Sequence, residues 1–513
     1  MSSRSEAIDF VIDRMLAGQS DVEALKHAAA KRFRISSMLT NPELLAAFPG
    51  EKLTPAIKKL LLKKPTRTLS GVTPVAVMIR PEGSCGHGCI YCPAAGLAAK
   101  SYTGYEPAAR RARQCGFDSA LQASERVAQF EGGGHATDKC EVIVMGGTFL
   151  ETDPRYKRSF IKGVYDGLNG KKAKTLAGAI ALNEKAEHRA VGLTIETRPD
   201  VCVPYIGEML SYGATRVELG VQHADDRIYR MIKRGHKVQD VIDSTRELKD
   251  SAFKVLYHIM PGLPGSSPEK DIAFVKKLFE DGRFRPDMLK IYPTLVVGGT
   301  ELSAMAKRGE FEPYTAEEAA DVISEFYRHI PEYVRVMRIQ RDIPADRIEK
   351  GVKKGNLREL VEEKIREKKI VPREIRYREV GLRGGSEQFR DFSLARLDYA
   401  ASGGKETFLS FENGDGIIAG FIRLRLPRKS GREEIGGATA LVRELHVYGS
   451  EVPLEADGDV QHKGLGAALL AEAERIAQDA GKEKMVIISG VGVREYYRKH
   501  GYERLGPYMS RKL

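Results

Sequence analysis

The sequence predicts an α/β protein with two domains, preceded by a helical, basic N-terminal segment. The first domain is a partial or complete (β/α) barrel, and the second is a smaller C-terminal α/β unit. The chain has 513 residues, which is about three times a domain of ~150 residues. Its hydrophobic content of 42% suffices for large cores and excludes a disordered chain. Short apolar runs alternate with helical patterns, which is typical of a parallel sheet with crossover helices.

Seven apolar runs are the predicted strands of the barrel. They cover residues 75–79, 141–144, 192–196, 216–220, 254–259, 288–291 and 334–339. Two of the helical patterns between them, at residues 154–168 and 268–279, begin with proline, which is favoured in the first helical turn. Because chemistry in such folds gathers at the carboxyl ends of the strands, the residues that follow each run are the first candidates for a site.

The chain divides into four predicted regions, namely a helical basic segment (1–71), the barrel (72–344), a charged linker (345–385) and the smaller domain (386–513). The linker is predicted from the density of Lys, Arg and Glu between residues 347 and 378. Within the smaller domain, strands are predicted at residues 407–412, 417–426, 438–447 and 484–490. A helix at residues 464–480 lies between the last two strands.

Positive charge is in excess, with 82 Lys and Arg against 70 Asp and Glu, a net charge of +12. This balance favours a polyanionic partner such as nucleic acid. In the N-terminal segment, basic residues flank a short apolar run, and the candidates for RNA contact are Lys58, Lys59, Lys63, Lys64 and Arg67. A solvated helix face would give the same pattern. With the overall charge, an RNA-binding surface is the favoured interpretation.

No apolar stretch reaches the ~18 residues that a membrane helix needs. The N-terminus also lacks the features of a secretory signal, because acidic and basic residues interrupt it. We therefore expect a cytoplasmic protein with no membrane partner.

Three of the six cysteines, Cys85, Cys89 and Cys92, lie within eight residues of one another, after the first predicted strand. The sequence has no second Cys-x-x-Cys arm, which a four-ligand zinc site would usually use. Three thiolates from one loop leave a fourth position open, which suits a [4Fe–4S] cluster whose unique iron binds a substrate. With Tyr91 directly before the third cysteine, the pattern resembles the radical S-adenosylmethionine (SAM) superfamily.

Polar residues at later strand ends agree with this resemblance. Gly146 and Gly147 follow the second predicted strand, where the superfamily uses a glycine-rich turn to receive the amino group of SAM. Glu196 ends the next strand with a charged group, whose burial would be costly without a polar partner. The resemblance therefore implies SAM contacts for these three residues.

The stretch from Gln461 to Gly466 has the pattern Gln-x-x-Gly-x-Gly at the start of the predicted C-terminal helix. Unpaired N–H groups and the helix dipole at such an end favour a pyrophosphate. Together with the strand before it, the segment 490–492 and the tyrosine Tyr497, this pattern resembles the GNAT acetyltransferase fold. The resemblance implies that Gln461, Gly464 and Gly466 bind acyl-CoA.

A radical SAM domain joined to a GNAT domain resembles the family of the Elongator catalytic subunit. Further segments that resemble this family are residues 101–107, 196–200, 290–295, 338–344, 378–381 and 506–509. The resemblance implies carboxymethylation of the wobble uridine of tRNA, with SAM and acetyl-CoA. It places acetyl-CoA contacts at Lys139, Leu445, His446, Val447, Tyr448, Gly466, Ala467, Ala468 and Tyr497. It also implies catalytic roles for Tyr497 and Lys290.

The expected cofactors are a [4Fe–4S] cluster, SAM and acetyl-CoA. Many family members carry cysteines just before residue 378 that are thought to hold zinc, but residues 370–378 contain none, so no zinc is expected. The expected partners are acetyl-CoA and tRNA, bound through its anticodon stem-loop. Other Elongator-type subunits and a second copy of the chain remain open.

Two other functions are compatible with the sequence. A GNAT protein lysine acetyltransferase with a structural iron–sulfur cluster would acetylate protein without SAM. A non-catalytic RNA-binding scaffold would retain the enzyme fold without its chemistry. The intact cysteines and the intact Gln-x-x-Gly-x-Gly pattern argue against the scaffold.

Overall fold

The computed structural model describes residues 3–62, 68, 71–81, 85–93, 96–147, 149–383, 391–448 and 464–513. Four of the predicted site residues, Lys63, Lys64, Arg67 and Gln461, lie outside these ranges. Within them, no helix has the length and apolar character needed to cross a membrane.

The described part of the N-terminal segment contains four α-helices, α1 (Ser3–Leu16), α2 (Val22–Phe33), α3 (Asn41–Ala47) and α4 (Pro55–Leu61). They pack around a small apolar core of their own, which includes Val11, Leu25 and Leu44. Lys58 and Lys59 are exposed on α4, as a surface for RNA requires.

The barrel sheet consists of parallel strands that pair in chain order. They are β1 (Thr73–Met78), β2 (Lys139–Met145), β3 (Arg189–Thr197), β4 (Arg216–Gln222), β5 (Lys254–Ile259), β6 (Met288–Ile291) and, after the short strand β7 (Val296–Val297), β8 (Arg335–Ile339). β7 pairs separately with β9 (Ile348–Lys350). Since β1 and β8 are the two edges of the seven-stranded sheet, the prediction of a parallel barrel is confirmed in its partial form.

Helices follow most strands and cover the outer face of the sheet. They are α5 (Pro107–Gln114), α6 (Ser119–Glu131), α7 (Pro154–Asn169), α8 (Leu176–Asn183), α9 (Ile206–Ser211), α10 (Asp226–Met231), α11 (Val238–Asp250), α12 (Pro268–Glu280), α13 (Glu301–Lys307) and α14 (Ala316–Phe326). The prolines that open α7 and α12 stand at the first helical positions, as predicted. Each follows an N-cap, Asp153 or Ser267, whose side chain accepts a backbone N–H.

The region predicted as a charged linker holds α15 (Leu357–Glu367), α16 (Ile375–Arg378) and α17 (Val380–Arg383). It is partly helical, as expected, but it is also part of the core. Leu357, Val361 and Ile365 recur every four residues on α15 and are buried, and α15 packs against α14. The high charge of the other faces concealed this apolar stripe in the sequence.

In the same region, a hydrogen bond and an ion pair link residues 370–378 to the two domains. The Glu374 carboxylate accepts the backbone N–H of Val336 at 3.0 Å, and Arg378 pairs with Glu412 at 2.8 Å. The absence of bound zinc here stays a prediction.

The C-terminal domain is a mixed sheet with one long helix. Its elements are β10 (Ser393–Ala401), β11 (Gly404–Glu412), β12 (Ile418–Leu426), β13 (Thr439–Val447), α18 (Leu465–Asp479), β14 (Lys484–Ile487), α19 (Arg494–Lys499), β15 (Glu503–Leu505) and β16 (Tyr508–Lys512). Only the first half of β13 pairs with β14, from Thr439 to Val442. Beyond this point the two strands diverge, and α18 begins beside the gap.

β14 ends at Ile487, three residues before the predicted end. The following segment leaves the sheet and packs against β3 of the barrel. A Cβ atom at Gly490 would lie 2.1 Å from the carbonyl oxygen of Val191, and one at Gly492 would lie 2.4 Å from the Cβ of Arg189. Glycine is therefore required here for close contact between the domains.

A group of five fully buried charges also joins the domains, and we call Lys249, Asp287, Glu406, Arg425 and Arg443 the junction charge cluster. Asp287 accepts from Arg443 Nη1 at 2.7 Å and Nη2 at 2.6 Å. Glu406 accepts from Arg425 and Arg443, each at 2.8 Å. Lys249 and Asp287 belong to the barrel and the other three to the C-terminal domain, so the cluster fixes one domain on the other.

Candidate active site: two cavities along the inner face of the barrel

One cavity, of about 500 Å³, lies between the two domains. On the C-terminal side it is lined by the second half of β13, the first turn of α18 and the start of α19. On the barrel side it is lined by the amino-terminal ends of several strands, including Lys139 and Glu141 of β2 and Arg216 of β4. We call it the interdomain cavity.

Most residues predicted to bind acyl-CoA line the interdomain cavity. These are Lys139, Leu445, His446, Val447, Tyr448, Gly464, Gly466, Ala467 and Tyr497. The prediction is wrong for Ala468, which does not line the cavity because its side chain is exposed on another face of α18. A Cβ at Gly466 would lie 2.7 Å from the Tyr496 hydroxyl, which explains glycine at this position. The chain thus brings Lys139 of the barrel to the same space as the C-terminal pattern.

The second cavity, of about 470 Å³, lies at the carboxyl ends of the barrel strands and is lined by all three predicted cluster ligands, Cys85, Cys89 and Cys92. We call it the cysteine cavity. Lys100 Nζ donates to the carbonyl oxygens of Cys85 at 3.0 Å and His87 at 2.7 Å, which fixes the cysteine loop. The Arg234 guanidinium lies 3.7 Å from the Cys89 sulfur.

The donor set fits an iron–sulfur cluster better than a single ion. Among the described residues, the groups whose ligand atoms all lie within 4.8 Å of one another do not include the cysteines. A cluster spreads its thiolates over separate irons, so it suits thiols that share a cavity without meeting at one point. Burial and the neighbouring Cys89 raise the pKa of the Cys92 thiol to about 11, so ionisation requires a positive partner such as iron.

The predicted SAM contacts lie beside this loop. Gly146 has a φ of +124°, and a Cβ there would lie 2.7 Å from Ile79. Its N–H donates to Glu196 Oε2 at 3.2 Å, and Glu196 also accepts from the Tyr102 hydroxyl at 2.7 Å. Gly147 and Glu196 line the cysteine cavity. Gly146 does not line it, but its hydrogen bond holds the Glu196 carboxylate in place.

Successive inward-facing residues of the same strands line the two cavities. On β2, Lys139 and Glu141 line the interdomain cavity, and Ile143 and Met145 line the cysteine cavity. The same order recurs from Arg216 to Glu218 on β4 and from Met288 to Lys290 on β6. Because alternate residues of a strand face one side at intervals of ~7 Å, the cavities are adjacent along the barrel interior.

Charged side chains occupy the layer where the cavities meet. We call Glu141, Arg216, Glu218, His258 and Lys290 the lumen charge chain. Glu218 accepts from Lys290 and from His258 Nε2, the latter at 2.7 Å, and Arg216 pairs with Glu141. Burial alone would raise the pKa of Glu218, but Lys290, His258 and Arg216 hold it well below its ordinary value. Glu218 is therefore an anion inside the barrel.

Lys290 was predicted from the family resemblance, but the rest of this chain was not. Arg216, Glu218 and His258 lie within β4 and β5, whereas the candidates taken from the strand pattern were residues at or after strand ends. The available signal was a charged or polar residue inside an apolar run. In a parallel sheet covered on its outer face, such a residue must face the interior.

The two domains match known families. The model of the Radical SAM superfamily matches residues 80–278, and the Radical_SAM C-terminal domain matches residues 286–367. The Acetyltransferase (GNAT) family matches residues 375–502. The resemblance of the cysteine loop and of the C-terminal pattern to these two families is confirmed.

Whole-chain relatives include the tRNA uridine(34) acetyltransferase of Methanocaldococcus jannaschii, which is 47% identical over 99% of this chain and 97% of its own length. Elongator complex protein 3 of Homo sapiens is 40% identical over 96% of this chain and 93% of its own. The solved structure of archaeal Methanocaldococcus infernus Elp3 with an N-terminal deletion has a TM-score of 0.77 and 47% identity, covering 86% of this chain and 100% of that chain. The chain therefore belongs to the family of Elongator complex protein 3 and the tRNA uridine(34) acetyltransferases.

Proposed function

We propose that this protein is an enzyme that installs a carboxymethyl group on carbon 5 of the wobble uridine of tRNA, using SAM and acetyl-CoA. The observation that supports this most directly is the adjacency of the two cavities. One inner barrel face lines both the cavity with three thiols and the cavity beside the acyl-CoA pattern. A reaction that joins an acetyl-derived carbon to a base needs both sites within reach of each other.

In the cysteine cavity, Cys85, Cys89 and Cys92 would hold the [4Fe–4S] cluster. When bound, the cluster supplies the electron that cleaves SAM and so starts radical chemistry. Gly147 and Glu196 line this cavity and are positioned to bind the methionine end of SAM.

In the interdomain cavity, the first turn of α18 would bind the pyrophosphate of acetyl-CoA. The end of β13, from Leu445 to Val447, and the following Tyr448 line this cavity beyond the point where β14 pairs with the strand, so they would contact the pantetheine arm. Burial raises the pKa of Tyr497, so its hydroxyl remains a neutral donor at this site. Lys139 adds a positive charge from the barrel side.

The target base would enter the cysteine cavity from the side of Arg338 and Arg341. Arg341 lies over the rings of Tyr102, at 5.6 Å, and Tyr292, at 6.0 Å, and all four residues line this cavity. Aromatic rings and guanidinium planes stack on unpaired bases. A wobble base lies in a loop that is already partly unstacked, so it costs less to present than a base of a duplex. Lys58 and Lys59 of α4 would contact tRNA phosphates.

The relatives favour this proposal over a protein lysine acetyltransferase, since the archaeal relative is named for tRNA uridine(34). A cytoplasmic location and assembly with other Elongator-type subunits or a second copy belong to the same proposal. An RNA-binding scaffold would not need two adjoining cavities that are lined by three thiols, by the acyl-CoA pattern and by the lumen charge chain.

The test uses anaerobically reconstituted protein, a tRNA with uridine at the wobble position, acetyl-CoA, SAM and a strong reductant. Digested nucleosides are then measured by mass spectrometry. We expect a carboxymethyl gain on uridine that disappears in Cys89→Ala and persists in Cys115→Ala, a buried cysteine outside the cysteine cavity. Product formation without SAM, or acetylated protein in place of modified uridine, would overturn the proposal.

A further inference from the structure

Arg216 stands where the two cavities meet. It begins β4, is 2% exposed and lines the interdomain cavity, while the next inward residue of the strand, Glu218, lines the cysteine cavity. Neither the resemblance to the family nor the proposed acyl-CoA contacts assign it a role.

The guanidinium of Arg216 has donors that no described residue uses. Its Nη1 donates to Glu141, but its Nε and Nη2 are buried without a hydrogen-bond partner. Nε lies 3.5 Å from Glu218 Oε1, which is an ion pair without a hydrogen bond, and that oxygen also lacks a partner. Because a buried donor without an acceptor is costly, the arrangement indicates that a ligand oxygen completes it.

The charge around Arg216 indicates which kind of oxygen it would bind. Glu141 and Glu218 flank the guanidinium, and Glu444 lies close enough to raise its pKa further. Burial opposes this effect by lowering the pKa, but the carboxylates dominate. With its positive charge already balanced, the site disfavours a phosphate or a carboxylate and favours a neutral carbonyl oxygen.

Arg216 is also within reach of an acyl-CoA. The interdomain cavity that it lines extends without interruption to Gly464 and Gly466 at the start of α18. A ligand with its pyrophosphate on α18 would point its acyl end along this cavity into the barrel. Arg216 lies on the barrel side of this cavity, in the layer next to the cysteine cavity that Glu218 lines.

We propose that Arg216 binds the carbonyl oxygen of the acyl thioester through Nε and Nη2, and so directs the acyl methyl group toward the cysteine cavity. This inference rests on the acyl-CoA site of the proposed function and adds a positioning residue to it. It predicts that affinity depends on the carbonyl itself.

The test compares acetyl-CoA with S-ethyl-CoA, a thioether that has no carbonyl, by titration calorimetry. The native protein should bind acetyl-CoA about 10- to 100-fold more tightly, as expected for a hydrogen bond to a charged group. In Arg216→Gln this ratio should fall to about one, with the affinity for S-ethyl-CoA unchanged. Equal affinities in the native protein, or an unchanged ratio in the variant, would overturn the inference.

Two further variants separate binding from folding. The double variant Glu141→Gln with Arg216→Gln removes the carboxylate that would otherwise lose its partner, and it should show the same loss of ratio. Lys254→Gln removes a positive charge that lines the same cavity, 3.6 Å from Glu444, and should keep the native ratio of the two affinities.

If the native protein bound neither ligand, the acyl-CoA site would fail, and this inference with it. Binding of both at equal affinity overturns the inference alone.

Discussion

The junction charge cluster and the lumen charge chain both contain fully buried charged residues, but they differ in how completely the atoms of these residues are paired. In the junction cluster, every side-chain oxygen and nitrogen of Asp287, Glu406 and Arg443 has a hydrogen-bond partner. In the lumen chain, Arg216 and Glu218 keep buried atoms without one. Both groups carry the desolvation cost of buried charge, yet only the first recovers it within the fold.

This difference shows how one chain uses buried charge for two purposes. The junction cluster connects β11, β12 and β13 of the C-terminal domain to the barrel at residues 249 and 287, so it fixes the walls of the interdomain cavity. The lumen chain lines that cavity and the cysteine cavity, so its unpaired hydrogen-bond donors and acceptors are available to substrates. Of these two groups, the one whose charges are satisfied positions the domains, and the one with unsatisfied atoms lines the site.

Removal of a junction carboxylate should give the largest loss of stability. Asp287→Ala leaves Arg443 without its two-pronged partner and the Val255 N–H without an acceptor. The expected cost is about 3–5 kcal/mol in the free energy of unfolding, as for other broken buried ion pairs. Denaturant titration followed by circular dichroism measures it.

The matched control is Asp281→Ala, which removes a half-buried carboxylate whose partner, Arg283, is exposed. Its expected cost is below about 1 kcal/mol. If the two variants unfolded at the same denaturant concentration, the junction cluster would not hold the domains together.

Neutralisation of a lumen carboxylate should give the opposite pattern. Glu218→Gln keeps the shape of the side chain but removes the charge that orients Lys290 and His258. We expect about a 100-fold loss of modified uridine, with a smaller change in stability than for Asp287→Ala. Nucleoside mass spectrometry and thermal unfolding of the same preparation give both values. Retained activity, or unfolding as severe as in Asp287→Ala, would remove the distinction between the two groups.

The sequence predicted the barrel well because its strands are apolar runs of the right length. β5 and β6 have the predicted bounds, and the other barrel strands differ by at most three residues at either end. Cys85, Cys89, Cys92, Gly147 and Glu196 line one cavity, and most of the residues predicted to bind acyl-CoA line the other. These features are local, so spacing and motif suffice to find them.

The features that were missed depend on tertiary contact. β10 was missed because exposed residues alternate with half-buried ones along most of it, so it has no continuous apolar run. The need for glycine at Gly490 arises only when β3 packs against it. The pairing of Arg216 with Glu141 joins residues 75 positions apart, and no local pattern reveals it.

The smallest expected effect concerns exposed charges, which belong to neither buried group. Lys58 and Lys59 lie on α4, in the N-terminal segment, which has its own core. Reversal of both, in Lys58→Glu with Lys59→Glu, should weaken tRNA binding severalfold and lower the slope of log affinity against log salt by about 1–2, since up to two phosphate contacts are lost. Filter binding at several salt concentrations measures both quantities.

The control with the same charge change, Lys171→Glu with Lys172→Glu, alters exposed residues after α7 and should leave the slope unchanged. Equal effects of the two pairs would mean that net charge alone attracts tRNA, and α4 would then lose its assignment as a specific contact surface.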